Sequence, residues 1–266
     1  MSAPPPLSKQ TSSVPLHFAL LLFPSFQALD VFGPLDALNT LKRQYPSLPL
    51  QLSILSPTLS PVSTFPSSTG EHSPAFEQCI TPTHTYASPP PAGTIDIIFI
   101  PGGLGTRLGP ADEEGWKPLV SYLNTFFSTP SAVKNLKGIF TVCTGSFLLG
   151  RSQIPSGNGS GGSRGTLDGV HATTNKRGFL RAKEELKNVL WEPKARWIRT
   201  DLALPLGEGE VHKVKLWTTS GVSAGTDGVF ALIEEEYGAD VAEFIANILE
   251  YERTTDPKDD PFAVEL

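Results

Sequence analysis

The sequence contains little cysteine and no clustered positive charge. Only two of its 266 residues are cysteines, Cys79 and Cys143, which argues against a disulfide scaffold and favours a reducing compartment. Neither cysteine has a Cys or His neighbour at a metal-ligand spacing, and the five histidines are scattered, so we expect no metal site. The 21 basic residues form no run and the formal net charge is −6, so nucleic acid is not an expected partner.

Long apolar segments are also missing. The first apolar run, residues 16–23, ends at Pro24 and is too short to cross a bilayer, so we expect no membrane association. The first residues do not combine a basic stretch with a directly following apolar stretch, which a secretory signal would need. We therefore expect a cytoplasmic protein. Residues 1–15, rich in proline and serine, are predicted to be a disordered tail.

Strand and helix patterns alternate through most of the remaining chain. This alternation predicts a single α/β domain over residues 16–266, with a mostly parallel central sheet and helices on both faces. A Gly/Ser-rich stretch near 152–166 is predicted to be a loop insert within that domain. The predicted strands are 17–23, 50–55, 95–100, 138–142 and 214–219, and the predicted helices are 30–41, 118–127, 144–150, 176–190, 240–251 and one that follows 220–225 and ends at 237.

Cys143 lies at a predicted strand-to-helix junction. A side chain on such a turn projects above the sheet, and the first amides of the helix have no intrahelical acceptor. Those amides and the helix dipole favour an anion. We therefore predict that the thiol pKa lies below about 8.5 and that Cys143 is a nucleophilic thiolate. The alternative is a buried structural cysteine.

Two other segments are expected at the same edge of the sheet, because sites in such folds lie at the carboxyl ends of strands. Gly102 and Gly103 follow a predicted strand, and with the Thr144 amide their amides would form an oxyanion hole. Asp30 follows the first strand. It is either a helix N-terminal residue or, if it lies close to Cys143, a proton carrier.

Three segments resemble the DJ-1/PfpI superfamily, and in particular its isocyanide hydratase branch. They are residues 21–38, which include Leu-Asp-Val-Phe-Gly-Pro, residues 96–103 and residues 142–146. Weaker matches at 172–174, 220–227 and 249–251 follow in the same order. The resemblance implies a flavodoxin-like sandwich that forms a homodimer. By position it makes Cys143 the nucleophile, Asp30 the acid/base and Thr144 a supporting residue.

One segment departs from the pattern of that branch. The branch continues Ala-Thr-Thr with histidine, whereas Asn175 stands there in this chain, and His171 occupies a position where the branch has arginine. An extended segment of four residues spans about 13 Å, so His171 does not simply replace the missing imidazole. Thr174, Asn175 and His171 are candidates for the substrate pocket, and the identity of the substrate stays open.

The resemblance implies a small-molecule substrate and a lyase that hydrates an isocyanide to an N-substituted formamide with neither cofactor nor metal. A glyoxalase- or deglycase-like enzyme acting on α-oxoaldehydes is an alternative, although Asp30 in place of glutamate argues mildly against it. A non-catalytic redox or stress sensor, in which Cys143 is oxidised, is another. We do not expect a transcription regulator, because only fifteen residues follow Tyr251, too few for a helix-turn-helix module.

Overall fold

A seven-stranded sheet forms the centre of the protein. The computed structural model describes residues 3–65, 76–107, 115–156, 162–207 and 209–265. The strands are β1 His17–Leu21, β2 Gln51–Ser56, β3 Val62–Ser63, β4 Cys79–Ile80, β5 His84–Thr85, β6 Ile97–Ile100, β7 Gly138–Thr141, β8 Gln153–Pro155, β9 Ser163–Gly165, β10 His171–Ala172, β11 Leu190–Trp191, β12 Trp197–Gly207 and β13 Glu210–Thr219.

The order of strands in the sheet is β12-β13-β7-β6-β1-β2-β5, and every neighbouring pair is parallel except β12 with β13. The three central strands β7, β6 and β1 are buried along their whole length. Strands buried on both faces favour apolar side chains on both faces, which explains why these three are mostly apolar. The rings of Phe99 and Phe140 stack across β6 and β7 with centroids 5.0 Å apart.

Helices flank this sheet in two groups, and the predicted α/β fold class is confirmed. The first group consists of α1, α6 and α7, and the second of α2, α3 and α4. No helix in the described ranges is long and apolar enough to cross a membrane. The helices are α1 Ala28–Gln44, α2 Lys117–Phe127, α3 Pro130–Val133, α4 Gly145–Arg151, α5 Phe179–Glu185, α6 Ser223–Tyr237 and α7 Ala239–Ile248, with 3-10 turns at Leu104–Arg107 and Lys176–Gly178.

Several elements differ from the sequence-based prediction. The edge strand β12 was not predicted, because it carries charged residues and Pro205, which reads as a strand breaker; it pairs with β13 alone. The helix predicted over 176–190 begins as a 3-10 turn and ends at Glu185. Strands β8 and β9 pair as an antiparallel hairpin at the ends of the predicted loop insert, whose residues 157–161 lie outside the described part of the chain.

Residues 3–15 contact the domain without forming a helix or strand. The Ser8 amide donates to the Tyr237 carbonyl at 2.9 Å, and the Tyr237 hydroxyl donates to the Pro15 carbonyl at 2.5 Å. The Tyr45 hydroxyl donates to the carbonyl of Pro5 at 2.8 Å. Composition predicts disorder for residues 1–15, whereas the structure places residues 3–15 on the domain, because their backbone groups find partners on Tyr45 and Tyr237.

Candidate active site

Cys143 lies on a sharp turn between β7 and α4, at the carboxyl edge of the sheet. Its φ of +57° is uncommon for any residue other than glycine. The Cys143 amide donates to the Ser220 carbonyl at 3.0 Å, and the Cys143 carbonyl accepts from the Thr174 hydroxyl at 2.9 Å. These two bonds hold the strained turn in place, as strained backbone at a functional site requires. The side chain is 5% exposed.

Asp30, Cys143 and Thr144 meet around Gly102, so the structure brings these predicted residues together. The Gly102 amide donates to Asp30 Oδ2 at 2.9 Å. A Cβ atom at Gly102 would lie 2.8 Å from Asp30 Oδ2, 2.8 Å from Cys143 Cβ and 2.6 Å from the Thr144 amide nitrogen. No side chain fits in this space. The absence of a Cβ at Gly102 lets the Asp30 carboxyl approach the turn between β7 and α4 that carries Cys143, which we call the elbow.

The amides of Gly102 and Gly103 are both used inside the protein. The Gly103 amide donates to Thr144 Oγ1 at 3.1 Å, and the Thr106 hydroxyl donates to the same oxygen at 2.7 Å. With the Gly102 amide bound to Asp30, neither glycine offers a free donor to a substrate oxygen. The predicted oxyanion role is therefore corrected: the two glycines position Asp30 and Thr144, because these acceptors lie within hydrogen-bond distance.

The environment of the thiol favours its neutral form. Burial and the negative charge of Asp30 raise the pKa of Cys143 from an ordinary value of 9.0 to about 12. The amides of Thr144 and Val222 and the Thr144 hydroxyl act in the opposite direction, but their combined effect is smaller. The prediction of a low thiol pKa is therefore wrong. It considered the amides at the start of α4 and omitted both the burial of the sulfur and the nearby carboxyl.

Asp30 is fully buried in the first turn of α1, and this burial changes the pKa of its carboxyl. Burial raises the pKa of the carboxyl from 3.8 to about 7, although hydrogen bonds from the Gly102 amide and the Cys143 thiol oppose the rise. Its Oδ1 atom has no hydrogen-bond partner among the described residues. A carboxyl that titrates near neutral pH, beside a thiol, can accept and return a proton during a reaction.

Sequence reasoning did not single out Val222, whose amide reaches the sulfur. Val222 precedes α6 with a φ of +38°, an outlier for a β-branched residue. The neighbouring Gly221 provides the space for this turn, since a Cβ atom there would lie 2.5 Å from Asn175 Nδ2. The segment 220–227 was one of the matching motifs, but the identity of a valine carries no signal for positive φ.

The three candidates for the substrate pocket occupy different places. Thr174 donates to the carbonyl of Cys143, so it positions the elbow. Asn175 lies against Gly221 and accepts a hydrogen bond from the Arg177 amide at 3.0 Å. The side chain of His171 is 59% exposed, and its Nδ1 lies 2.7 Å from Glu192 Oε1. Its assignment to the pocket is therefore corrected: it is a surface residue, because it lies on the short strand β10.

Two other observations concern possible metal ligands and a groove near α1. Within the described ranges, no group of three or more His, Cys, Asp or Glu side chains is arranged to hold a metal ion. A groove of about 780 Å³ lies along α1 and β2, lined by apolar residues such as Leu29, Phe32 and Leu52. Neither Cys143 nor Asp30 lines this groove, so it is separate from the cysteine site.

Comparisons with known proteins find one relative by sequence and several by structure. No family model matches the chain. A ThiJ/PfpI family protein from Pseudomonas syringae has a TM-score of 0.59 at 20% identity, over 93% of this chain and 79% of that protein. Isonitrile hydratase of Pseudomonas putida is 29% identical over 241 residues, which are 89% of this chain and 78% of that protein. The resemblance to the DJ-1/PfpI superfamily is confirmed.

The DJ-1/PfpI fold occurs in proteins with different descriptions. DJ-1beta of Drosophila melanogaster has a TM-score of 0.54 at 13% identity, over 90% of this chain and 99% of that protein. An AraC family transcriptional regulator from Pseudomonas putida has a TM-score of 0.58 at 18% identity, over 88% of this chain and 100% of that protein. Fold alone therefore does not select a function, whereas sequence similarity to isonitrile hydratase suggests an enzyme.

Proposed function

We propose that this protein is a cysteine-dependent, isocyanide hydratase-like lyase that converts an isocyanide to an N-substituted formamide. The observation that carries the proposal is the pairing of the Cys143 thiol with a buried carboxyl, Asp30, whose pKa is about 7. Similarity to isonitrile hydratase supports the choice of an isocyanide over other electrophiles. No cofactor or metal is needed, because the thiol and the carboxyl supply both the nucleophile and the proton.

In the first step the sulfur and the proton of the thiol both add to the terminal carbon of the isocyanide. Asp30, as a carboxylate, accepts the proton of Cys143, and the sulfur then bonds to the carbon. The protonated Asp30 delivers that proton to the same carbon, so the product is a thioimidate, with sulfur and hydrogen both added to the carbon. Asp30 ends as a carboxylate again. Amides of Thr144 and Val222 stabilise the sulfur anion while it exists.

In the second step water hydrolyses the thioimidate. The Asp30 carboxylate accepts one proton of a water molecule while the water oxygen bonds to the carbon of the thioimidate. The carbon–sulfur bond then breaks. One proton of the water ends on the nitrogen of the formamide and the other on Cys143. The net reaction is the addition of one water molecule to the isocyanide, and the thiol is restored.

The buried, protonated state of the thiol argues against one of the alternatives, the redox sensor. Oxidation of a cysteine sensor needs an accessible thiolate, but Cys143 is 5% exposed and burial raises its pKa. A glyoxalase- or deglycase-like reaction would use the same cysteine on an α-oxoaldehyde, so a comparison of substrates has to separate it from hydration.

The experiment is a comparison of three reagents with the purified protein. We expect a simple alkyl isocyanide to yield the corresponding formamide over many turnovers, while an α-oxoaldehyde is consumed no faster than in buffer. Hydrogen peroxide, followed by intact mass, tests the sensor: we expect slow addition of oxygen atoms. Rapid oxidation without turnover of any isocyanide would contradict the proposal, and so would turnover of the α-oxoaldehyde alone.

We also propose a cellular location, an oligomeric state and a class of reaction partner for this protein. A cytoplasmic location is supported by the free state of both cysteines, Cys79 and Cys143. A homodimer, which the resemblance implies, is supported by exposed apolar side chains in the groove along α1, including Leu29 and Phe32. The partner in the reaction is a small molecule, with no role for nucleic acid or a membrane.

A further inference from the structure

Four buried charges form a network beside the cysteine site. Arg196 donates from Nε and Nη2 to Asp227 Oδ2 at 2.8 and 2.5 Å, and the two side chains are 7% and 1% exposed. Lys176 Nζ lies 3.3 Å from Asp260 Oδ2, with side chains 6% and 1% exposed. Two positive and two negative charges balance, and each buried charge depends on its partners, because an unpaired one is expensive to bury.

Arg196 connects this network to the elbow through the backbone. Its carbonyl accepts from the Ser220 amide at 2.7 Å, and the Ser220 carbonyl accepts from the Cys143 amide at 3.0 Å. Its guanidinium also donates from Nη2 to Ser223 Oγ at 3.4 Å, one residue beyond the amide of Val222 that reaches the sulfur. A shift of Arg196 would therefore move two supports of the thiol.

Lys176 connects the network to the elbow by a second route. Its ammonium donates to Thr173 Oγ1 at 2.9 Å and to the Ala195 carbonyl at 2.6 Å. The next residue after Thr173 is Thr174, whose hydroxyl donates to the Cys143 carbonyl. Burial lowers the pKa of the Lys176 ammonium, and Asp260 opposes that shift. Asp260 therefore stabilises the charged ammonium of Lys176 next to Thr173 and Thr174, the segment that holds the strained turn at Cys143.

Asp260 lies close to both routes and comes from a segment outside the sheet and helices. Its Oδ1 atom is 3.9 Å from Arg196 Nη1, while its Oδ2 atom pairs with Lys176. Segment 254–264 lies across this region, since the Pro257 carbonyl accepts from the Arg196 amide at 2.7 Å and the Thr254 amide donates to Asp227 Oδ1 at 3.0 Å. A single carboxylate thus joins the two cations that support the elbow.

We propose that Asp260 is a positioning residue for Cys143, which acts through Lys176 and Arg196 to hold the two loops that fix the nucleophile. The inference rests on the proposed function only in taking Cys143 as the nucleophile. Without the carboxylate, two buried cations share the single charge of Asp227. Lys176 then moves toward water, the support at Thr173 and Thr174 loosens, and the thiol becomes more exposed.

The test is Asp260→Asn, made together with Cys79→Ser so that alkylation by iodoacetamide reports Cys143 alone. Asp259→Asn is the matched control, because Asp259 is the adjacent acid and is exposed. Glu236→Gln is the second control. Glu236 is also buried and pairs with Lys9 and Lys215, but it lies at the far end of α6, so its loss should lower stability without reaching the elbow.

We expect Asp260→Asn to speed alkylation at pH 8 by about tenfold or more, because a more exposed thiol titrates closer to its ordinary range. Isocyanide turnover should fall by about 10²-fold, the usual cost of misplacing a reacting group by about 1 Å. Glu236→Gln should lower the melting temperature with an unchanged alkylation profile. Equal alkylation profiles for Asp260→Asn and Glu236→Gln would overturn the inference. Faster alkylation of Asp260→Asn, together with a wild type that turns over no isocyanide, would support the inference and overturn the proposed function instead.

Discussion

Asp30 should destabilise the fold at neutral and alkaline pH. Folding raises its pKa from 3.8 to about 7, so the folded state prefers the protonated carboxyl. The penalty for ionising it is absent below about pH 4, grows between pH 4 and 7, and is complete above pH 7. At about 1.4 kcal/mol per pH unit, the penalty is at most about 4 kcal/mol. The unpartnered Oδ1 atom accords with this cost.

Asp30→Asn removes that penalty and keeps the contacts. The amide oxygen of asparagine can still accept from the Gly102 amide, and its volume matches that of aspartate. The free energy of unfolding should therefore rise by up to about 4 kcal/mol at pH 8 and stay near that of the wild type at pH 4. Turnover should fall by about 10²–10⁴-fold, because asparagine cannot carry a proton.

Urea denaturation at the two pH values and a turnover assay on the same samples measure both effects. Asp36→Asn is the control, since Asp36 lies on the exposed face of the same helix and should change neither quantity. A variant that is no more stable than the wild type at pH 8 would show that the ionised Asp30 carboxyl does not destabilise the fold. Full activity in Asp30→Asn would make Asp30 a structural residue.

Three further predictions concern Gly102, the pH dependence of turnover and the oligomeric state. Gly102→Ala should lower turnover by about 10²-fold. Gly138→Ala inserts a Cβ atom 2.7 Å from the Trp217 side chain on β13. Both glycine variants should lose ~1–3 kcal/mol of stability, but Gly138→Ala should keep the activity per folded molecule. Equal activity per folded molecule in the two variants would contradict the placement of Gly102 between Asp30 and Cys143. Turnover should rise with pH through about 7, because the active pair needs an ionised Asp30 beside a protonated thiol; a rate that falls above pH 7 would argue against that proton arrangement. Light scattering should report twice the chain mass of 28.6 kDa, and a clean monomer would exclude the dimer.

The cysteine site could be predicted because its parts follow neighbouring strands. Strands β1, β6 and β7 are adjacent in the sheet, so the residues after their carboxyl ends meet at one edge. Each strand is a continuous apolar run, which is visible in the sequence, and Asp30, Gly102 and Cys143 follow these runs. Local pattern was enough for the fold class and for the place of these three residues.

Properties that depend on distant groups could not be predicted in the same way. The thiol pKa depends on the burial of the sulfur and on the distance to Asp30, and neither is a feature of the residues around Cys143. The positive φ of Val222 occurs in a turn beside Gly221, whose close contact with Asn175 joins positions far apart in the sequence. The pairing of Asp260 with Lys176 joins positions 84 residues apart, and isolated charges in a sequence do not identify their partners.

The most direct test of the account is the hydration of an isocyanide by the wild type and by Cys143→Ala, measured as formamide formed per folded molecule. Sulfur is the nucleophile that attacks the isocyanide in the first proposed step, so we expect steady turnover for the wild type and a rate indistinguishable from buffer for the alanine variant. The variant should remain folded, because removing the sulfur from a strained, buried position leaves the backbone bonds to Ser220 and Thr174 in place. Formamide production by folded Cys143→Ala at a rate near that of the wild type would contradict covalent catalysis at this cysteine.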